Sequence, residues 1–485
     1  MSTLVVMTEP RSGWGMTAHA LCNVVRPRTE DDVAEAYALA RERGWTIGHQ
    51  GGGRSYGDAA LSEGNLLMDL SAMNEIERWD PATGIAVCQP GVTLQQLWQH
   101  VLRDGWWPAV VSGTMFTTLG GLASANAHGK NNHRHGPFGE CVRSARFVTP
   151  DGQARLISAE QEPDLFHAAI GGFGLLGTFT QITVQLKRVH SGRLSVTPAV
   201  ADDLASAFRK FRAYNDAGYD YVVGWIDAYA SGDALGRGQL HAARYVEAGE
   251  DPEADAYKAL ERQTLPPRLF GVLPMRWLHW FARPFANRWG MRLVNFGRFQ
   301  LLRWRSGSHE AHLEPHARFN FLLDFVPDWK RFTEPGGLVQ FQMFLPAEHA
   351  EAVAREVLSR CQAEAQEPYL VVMKRHRPDA FWLSHALDGY SFALDFFVKD
   401  RQREDLHALL RLLAKRVVAA HGRFYLAKDS ILTGAQLRES LGDDVLDRFL
   451  ALKAQVDPDG VLQSDQTRRL FGPRGAQSAQ VERSS

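Results

Sequence analysis

Several features that define common protein classes are scarce or missing in this sequence. Its four cysteines are widely separated and form no CxxC pair, which indicates neither a zinc site nor a disulfide framework and fits a reducing compartment. The formal net charge is −1, so we expect no nucleic-acid partner. No long apolar run is present, and the N-terminal stretch lacks the basic start of a secretory signal. We therefore expect a cytoplasmic protein.

The size and composition are those of a folded protein with more than one core. At 485 residues, with 45% hydrophobic and 22% charged residues, the chain is too long for one ordinary core and predicts two soluble, globular domains.

Two glycine-rich stretches stand out. His49–Ala60 reads HQGGGRSYGDAA, and Ser112–Gly129 reads SGTMFTTLGGLASANAHG. Glycine permits positive φ and close approach of a ligand, and successive N–H groups in such loops can bind an anion. A glycine-rich surface turn is the ordinary alternative for either stretch alone. Together they predict the two halves of one dinucleotide site.

Competing phosphate motifs do not fit. A P-loop requires Gly-Lys-Ser/Thr at the start of a helix, and neither stretch has it. The GxGxxG at Gly172–Gly177 follows a helical pattern, Asp164–Ile170, and precedes an alternating strand pattern, Thr178–Val184. A nicotinamide fingerprint has the reverse order, so we reject that interpretation.

The motifs as a set resemble the FAD-binding domain of the vanillyl-alcohol oxidase (PCMH-type) superfamily, and within it the decaprenylphosphoryl-β-D-ribose 2-oxidase family. The matching segments are GGGRSYGD at Gly51–Asp58, SGTMFTTLGG at Ser112–Gly121, AHGKNNH at Ala127–His133, GGFGLLG at Gly171–Gly177, GWIDA at Gly224–Ala228, VQFQ at Val339–Gln342, GRFYLAKDS at Gly422–Ser430 and DPDGVLQSDQTRRL at Asp457–Leu470. Each segment is weak evidence, whereas their joint order is specific.

The predicted fold class is α+β, with a two-part PCMH-type FAD-binding domain and an inserted substrate (cap) domain. The expected boundaries are 1–190 for the first FAD-binding part, 191–421 for the cap and 422–485 for the return to the FAD-binding domain. The cap is predicted as a mostly antiparallel sheet flanked by helices. Its expected strands are Leu194–Thr197, Tyr221–Ile226, Gly337–Phe344 and Phe392–Val398.

The resemblance implies a set of cofactor-binding residues. They are Gly51, Gly52, Gly53, Arg54, Ser55, Tyr56, Gly57, Asp58, Gly113, Thr114, Thr118, Gly120, Gly121, Ala125, Ala127, His128, Gly129, Phe179 and Tyr425. Related oxidases can attach the flavin to a histidine of the first loop. This chain has Ser55 beside Arg54, so we expect FAD to be bound non-covalently.

Lys428, Tyr425 and Gln342 are the predicted catalytic residues. Oxidation of an alcohol by a flavin requires a positioned C–H, a group that takes the hydroxyl proton, and charge that stabilises the reduced cofactor. Lys428 could act as a base only if burial or a nearby cation lowered its pKa, and we favour the charge role. Packing of Lys428 and Tyr425 in a structural strand remains the alternative.

The predicted substrate-binding residues are Lys130, Gln340, Lys374, Ser391 and Ala393. Lys374 would suit a phosphate oxygen, and Lys130 either contacts the phosphate, positions its loop or is an exposed lysine. Gln340 and Gln342 share one face of a strand.

Two positions depart from the family pattern. Ser391-Phe392-Ala393 stands where the family often has Asn-x-Cys, so Ala393 replaces a familiar cysteine. Asn320 replaces a tyrosine of the cap loop.

A metal site at His128, His133 and His135 is the weaker interpretation of the histidine-rich segment. Three histidines without a fourth ligand or supporting partners are insufficient, and His128 already belongs to the flavin-loop match. We therefore predict no metal.

Leu265–Phe299 contains six arginines, three tryptophans and no acid. It is either an irregular packing insertion or a contact of 265–299 with the inner membrane surface, with arginine at the headgroups and aromatic residues in the interface.

The leading functional hypothesis is an FAD-dependent oxidoreductase. The resemblance implies that it oxidises the 2-hydroxyl of a polyprenylphosphoryl-β-D-ribose to a 2-keto intermediate, with a partner short-chain reductase completing a 2-epimerisation towards arabinose donors. A soluble alditol, sugar or aldonolactone oxidase on the same fold is one alternative. A non-catalytic lipid- or glycan-binding protein is the other.

Overall fold

A computed structural model describes residues 4–266, 268–269, 273–277, 283–305, 310–327 and 329–472. The strands are β1 (Met7–Ser12), β2 (His19–Val25), β3 (Ile47–Gln50), β4 (Leu66–Asp69), β5 (Ile76–Asp80), β6 (Ile85–Cys88), β7 (Trp106–Trp107), β8 (Val142–Val148), β9 (Ala154–Ser158), β10 (Thr178–Gln185), β11 (Lys187–Arg188), β12 (Arg193–Ala201), β13 (Tyr221–Ile226), β14 (Gly238–Tyr245), β15 (Arg268–Leu269), β16 (Leu273–Pro274), β17 (His312–Pro315), β18 (Leu338–Pro346), β19 (Leu370–His376), β20 (Gly389–Phe397) and β21 (Arg423–Phe424). The α-helices are α1 (Glu30–Arg43), α2 (Leu94–Val101), α3 (Leu119–Ser124), α4 (Asn132–His135), α5 (Pro163–Ala169), α6 (Leu204–Asp216), α7 (Arg288–Arg305), α8 (His316–Asn320), α9 (Ala350–Ala363), α10 (Arg403–Val418), α11 (Gly434–Leu441), α12 (Asp443–Val456) and α13 (Asp465–Phe471).

The N-terminal layer delivers the first glycine-rich stretch. Its sheet has the order β1-β2-β4-β3, and the β2–β4 and β4–β3 pairs are parallel. Helix α1 begins at the capping box of Thr29 and Asp32 and ends at Gly44, whose φ is +66°, as its sequence predicts. Burial of Tyr37 against the strands fixes the direction of β3, which ends at Gln50 immediately before the glycines.

A second, antiparallel sheet supports the other glycine-rich stretch. Its order is β5-β6-β10-β8-β9, and the hairpin of β8 and β9 turns at Gly152 with φ +83°. The buried Tyr37 hydroxyl lies 2.6 Å from Thr178 Oγ1, which joins α1 to β10. The GxGxxG segment lies between α5 and β10, in the helix-to-strand order that excludes the nicotinamide fingerprint.

The cap is an antiparallel sheet backed by helices. Within the described residues it has eight strands in the order β17-β12-β14-β13-β19-β20-β18-β21, and α6, α9 and α10 contact it. The predicted α+β class and mostly antiparallel cap sheet are confirmed. Strand β14 was not predicted, because GQLHAARY has weak strand propensity; pairing with β12 on one side and β13 on the other fixes it instead.

The C-terminal segment returns to the first glycine-rich stretch. The Tyr56 amide donates to the Ala427 carbonyl at 2.9 Å, and Arg469 pairs with Asp58 at 2.8 Å and with Asp429 at 2.9 Å. Strand β21, which lies inside the predicted return segment 422–485, still pairs with β18 of the cap sheet. No helix in the described ranges is both long and apolar enough to cross a membrane.

Candidate active site

The two glycine-rich loops meet at their backbones. A Cβ on Gly51 would lie 2.2 Å from Thr118 Oγ1, and a Cβ on Gly52 would lie 2.4 Å from the Phe116 carbonyl oxygen. Gly53 adopts φ +61°, which disfavours other residues. Side chains at these positions would push the loops apart, so the close approach of the two loops requires glycine. This is a cradle built from backbone, which fits the elongated, anionic body of a dinucleotide.

The second loop is also held from the cap side. Asp324 Oδ1 accepts from Thr114 Oγ1 at 2.7 Å, and Asp324 Oδ2 accepts from the Met115 amide at 2.7 Å. The loop then enters α3, where Thr118 Oγ1 accepts from the Gly121 amide at 3.4 Å. Sequence patterns could not identify Asp324, because it is remote in the chain and belongs to no motif.

A cavity of about 840 Å³ separates these loops from the cap sheet. Ligand pockets typically have volumes of about 300–1,000 Å³, so the space suits a large cofactor together with part of a substrate. The predicted site residues that line it are Gly51, Gly52, Gly53, Arg54, Ser55, Tyr56, Gly113, Thr114, Thr118, Gly120, Gly121, Ala125, Ala127, His128, Lys130, Gln340, Gln342, Lys374, Ala393, Tyr425 and Lys428.

The cap sheet supplies polar side chains to the cavity through strand alternation. Gln340 and Gln342 of β18 line it, as do Ala393 and Asp395 of β20 and Lys374 of β19. Gln342 is the register partner of Ala393, and Gln340 is the partner of Asp395. The intervening residues pack in the core on the other face of the sheet. A period of two along three neighbouring strands therefore collects these residues on one surface.

Lys428 lies at a buried junction of the two halves. Its Nζ sits 3.6 Å from the centre of the Tyr56 ring, and Asp395 interacts with it electrostatically. Gln340 Nε2 donates to Asp395 Oδ1 at 2.6 Å. Burial lowers the pKa of Lys428 and raises the pKa of Asp395, while the attraction between the two groups opposes both shifts.

Two further lysines face the cavity, of which Lys130 is buried and Lys374 half-buried. Burial, together with the nearby charge of Lys374, lowers the pKa of Lys130 to about 7, and burial lowers that of Lys374 to about 8. Lys130 donates to the Phe319 carbonyl oxygen, so it is buried and not the exposed lysine of the alternative. Lys374 Nζ makes no hydrogen bond or ion pair with any residue that the structure describes. An anion placed against it would restore its ordinary basicity.

A cluster of neutral imidazoles surrounds His128, which lines the cavity together with Tyr425. The His128 ring centre is 5.0 Å from that of His376, 5.2 Å from that of His385 and 5.1 Å from that of Tyr425. Burial lowers the pKa of all three histidines. Gln342 Nε2 lies 2.8 Å from His128 Nε2, and with the amide N–H as donor the ring proton of His128 belongs on Nδ1.

The other two histidines of the segment lie elsewhere. His133 Nε2 is 3.0 Å from the Tyr219 carbonyl oxygen, and His135 Nε2 is 3.9 Å from Asp220 Oδ1. Neither packs against His128. Among the residues with described placement, no group of three or more His, Cys, Asp or Glu side chains could hold a metal ion.

Five predicted site residues lie outside the cavity lining, namely Gly57, Asp58, Gly129, Phe179 and Ser391. Asp58 forms the ion pair with Arg469, so it stabilises the first glycine-rich loop without lining the cavity. Ser391 Oγ lies 2.7 Å from His376 Nε2 and supports the imidazole cluster. Phe179 is buried in the core of the FAD-binding half. The roles assigned to these residues stay predictions.

Several lining residues were missed by sequence reasoning. Trp225 and Asp395 line the cavity, and the strand alternation that selects Ala393 would also have selected Asp395. Arg298 lies with its guanidinium 4.1 Å from the Trp225 ring centre, and no motif marks it. Ala393 and Asn320, the two residues that depart from the family pattern, both line the cavity.

Comparison with known proteins agrees with this geometry. Residues 23–158 match the family model of the FAD binding domain, which covers both halves of the glycine cradle. The chain is an FAD-dependent oxidoreductase with the PCMH-type fold, and the predicted cofactor is confirmed.

One relative matches almost end to end. The chain is 29% identical to the decaprenylphosphoryl-β-D-ribose oxidase of Mycolicibacterium smegmatis, over 96% of this chain and 97% of that protein. The resemblance to this family is thereby confirmed. Other relatives share less of their length. Cytokinin dehydrogenase 6 of Oryza sativa subsp. japonica is 29% identical over 42% of the chain and 41% of that protein, and a putative D-arabinono-1,4-lactone oxidase of Neurospora crassa is 27% identical over 37% and 32%.

Proposed function

We propose that the protein oxidises the 2-hydroxyl of a polyprenylphosphoryl-β-D-ribose to the 2-keto sugar. The observation that carries the proposal is the set of three lysines that line one cavity, Lys130, Lys374 and Lys428, each with a lowered pKa. A neutral alcohol needs no such excess of positive charge. A substrate that joins an oxidisable hydroxyl to a phosphate diester does, and the name of the Mycolicibacterium smegmatis relative describes such a substrate.

The phosphate is assigned to Lys374 and Lys130. Lys374 has a half-buried ammonium without a partner in the described structure, and Lys130 is held in place by the Phe319 carbonyl. Two converging donors in a desolvated pocket bind a phosphate more strongly than exposed lysines would.

The hydroxyl end of the substrate is assigned to Lys428, Gln342 and Tyr425. FAD, when bound, supplies the two-electron acceptor for the hydride that leaves the sugar carbon. Lys428 in its ammonium form would stabilise negative charge that develops as the hydroxyl proton and the hydride depart. Gln342, oriented by His128, would hold the sugar hydroxyl, and Tyr425 would close the wall of the site beside it.

The reaction is half of an epimerisation. Reduction of the 2-keto product from the opposite face, by a separate short-chain reductase, would give the arabinose configuration, and we propose such a reductase as a functional partner. A lipid-linked sugar also makes the cytoplasmic face of the membrane the natural place of action.

Isotopic trapping of the product tests the position of oxidation. The holoenzyme is supplied with farnesylphosphoryl-β-D-ribose and an excess of an electron-accepting dye, and the product is reduced with borodeuteride and hydrolysed. Deuterium at C2 of the resulting pentose supports the proposal. Deuterium at another carbon overturns it. Oxidation of free ribitol or of an aldonolactone, without oxidation of the lipid-linked sugar, would assign the chain to the soluble oxidases suggested by the partial match to the lactone oxidase.

A further inference from the structure

Helix α7 presents an apolar face to solvent. Trp304 and Trp289 are 81% and 75% exposed, Leu293 is 62% exposed, and Phe296 and Leu301 are also exposed. At about 100° per residue, these five side chains project within an arc of about 140° on one side of the helix. Single exposed apolar residues are common, but a contiguous patch of large ones marks an interaction surface.

The opposite face of α7 is fixed to the cap. Met291 and Phe299 are buried, and Gln239 Nε2 donates to the Arg298 carbonyl at 2.8 Å. The Arg298 guanidinium also stacks on Trp225. Rotating the helix to bury its tryptophans would break all of these contacts, so the apolar face is held outward by the fold.

The positive charge of α7 indicates what kind of surface would cover its apolar face. Arg288–Arg305 contains five arginines and no acid. By the same helical geometry, Arg292 and Arg303 lie along one edge of the apolar arc, and both are exposed. Aromatic residues bordered by arginines match the interface of a bilayer, where rings sit at headgroup depth and guanidinium groups pair with phosphates.

Helix α7 also contributes a residue to the cavity. Arg298 belongs to the helix and lines the cavity. Leu322, which also lines the cavity, is 53% exposed, so the apolar lining continues to the protein surface.

We propose that the outward face of α7 docks on an anionic lipid bilayer, with Trp289, Leu293 and Trp304 inserted at headgroup depth. Docking there would place the membrane beside the helix that contributes Arg298 to the cavity. Binding to the bilayer does not depend on which sugar is oxidised, whereas its use for loading a lipid-linked substrate rests on the proposed function. The parts of 265–299 at 267, 270–272 and 278–282 lie outside the described residues, and the proposal does not involve them.

Vesicle binding of the full-length, FAD-loaded protein tests the proposal without any substrate. The protein is co-sedimented with vesicles of phosphatidylcholine alone and of phosphatidylcholine with phosphatidylglycerol. The double variant W289A/W304A is compared with L156A/L412A, which removes two side chains of 45% and 46% exposure outside α7. The flavin absorbance spectrum and the unfolding temperature of each variant verify that the fold is intact.

The expected result is binding of the native protein to the anionic vesicles and weaker binding to the neutral ones. W289A/W304A should weaken binding at least about tenfold, since each lost ring removes apolar area from the interface, and Arg292→Gln should weaken it about fivefold. L156A/L412A should bind like the native protein. Equal binding of all variants, or no binding of the native protein, overturns the proposal. A native dimer that W289A/W304A dissociates, without vesicle binding, would instead assign the face to a second copy of the chain.

Discussion

The two sides of the cavity recognise their ligands by different means. The FAD-binding side approaches through backbone, with glycines at Gly51 and Gly52 where any Cβ would collide with the second loop. The cap side is lined by charged and amide side chains such as Lys374, Gln340 and Asp395. A backbone cradle tolerates few substitutions and suits an invariant cofactor. A surface of side chains on a regular sheet can change its specificity one residue at a time.

Removing the Lys428 charge should have the largest effect. Lys428→Met takes away a half-buried cation at the junction of the two sides, and we expect the rate of flavin reduction by substrate to fall about 10²–10³-fold. The flavin spectrum should remain, because the glycine cradle is untouched. Stopped-flow absorbance measures the rate, and Lys399→Met, at an exposed position of the cap, is the matched control. A native rate in Lys428→Met would remove the residue from the mechanism.

Adding a side chain to the glycine cradle should weaken the binding of FAD more than that of the substrate. In Gly52→Ala, the added Cβ meets the Phe116 carbonyl oxygen, and overpacking of about 1–3 kcal/mol would raise the Kd for FAD about 5–150-fold. Fluorescence titration of the apoprotein with FAD measures this. Gly297→Ala, where an added Cβ meets nothing within 4 Å, should bind FAD normally. Tight FAD binding by Gly52→Ala would contradict a cradle that depends on glycine.

The variant Lys374→Met tests whether Lys374 binds the phosphate of the substrate and not its sugar. Loss of a charge-assisted hydrogen bond costs about 1.5–3 kcal/mol, so KM for farnesylphosphoryl ribose should rise roughly 10–150-fold while kcat changes little. A farnesyl riboside without phosphate should be oxidised equally by the native and variant proteins. If both substrates were affected alike, Lys374 would serve the packing of the cavity and not the phosphate.

The pH dependence of flavin reduction tests which charge state of Lys428 is active. Burial lowers the pKa of Lys428, and its charge is lost as pH rises through that pKa. If the ammonium is the active form, flavin reduction should therefore decline with rising pH. A neutral lysine acting as a base would give a rate that increases with pH.

The variant Asp395→Asn tests whether titration of Lys428 causes that decline of the rate with pH. Without the carboxylate, the ammonium loses its electrostatic support, the pKa of Lys428 falls further, and the decline should move to lower pH. Asp400→Asn, at an exposed position, should leave the profile where it is. If the rate of Asp395→Asn declined at the same pH as that of the native protein, another group would be the one that titrates.

The sequence predicted the FAD-binding side better than the cap, for a physical reason. The loop at Gly51–Asp58 is contiguous in the chain, and α1 carries its start and stop signals locally in Thr29 and Gly44. Asp395 becomes part of the site only through register pairing of distant strands, and Asp324 only through a bond across the two halves. Helix α7 was predicted only as an arginine- and tryptophan-rich segment, because apolar residues on both of its faces hide the helical period.

Anaerobic flavin absorbance of the purified holoenzyme tests the central claim most directly. Farnesylphosphoryl-β-D-ribose is added to one sample and free ribitol to another, and the oxidised flavin band is followed. The account predicts bleaching by the phosphorylated, lipid-linked sugar and none by ribitol. Bleaching by ribitol alone, or by neither compound, would contradict the assignment of the three cavity-lining lysines to a phosphate-bearing sugar substrate.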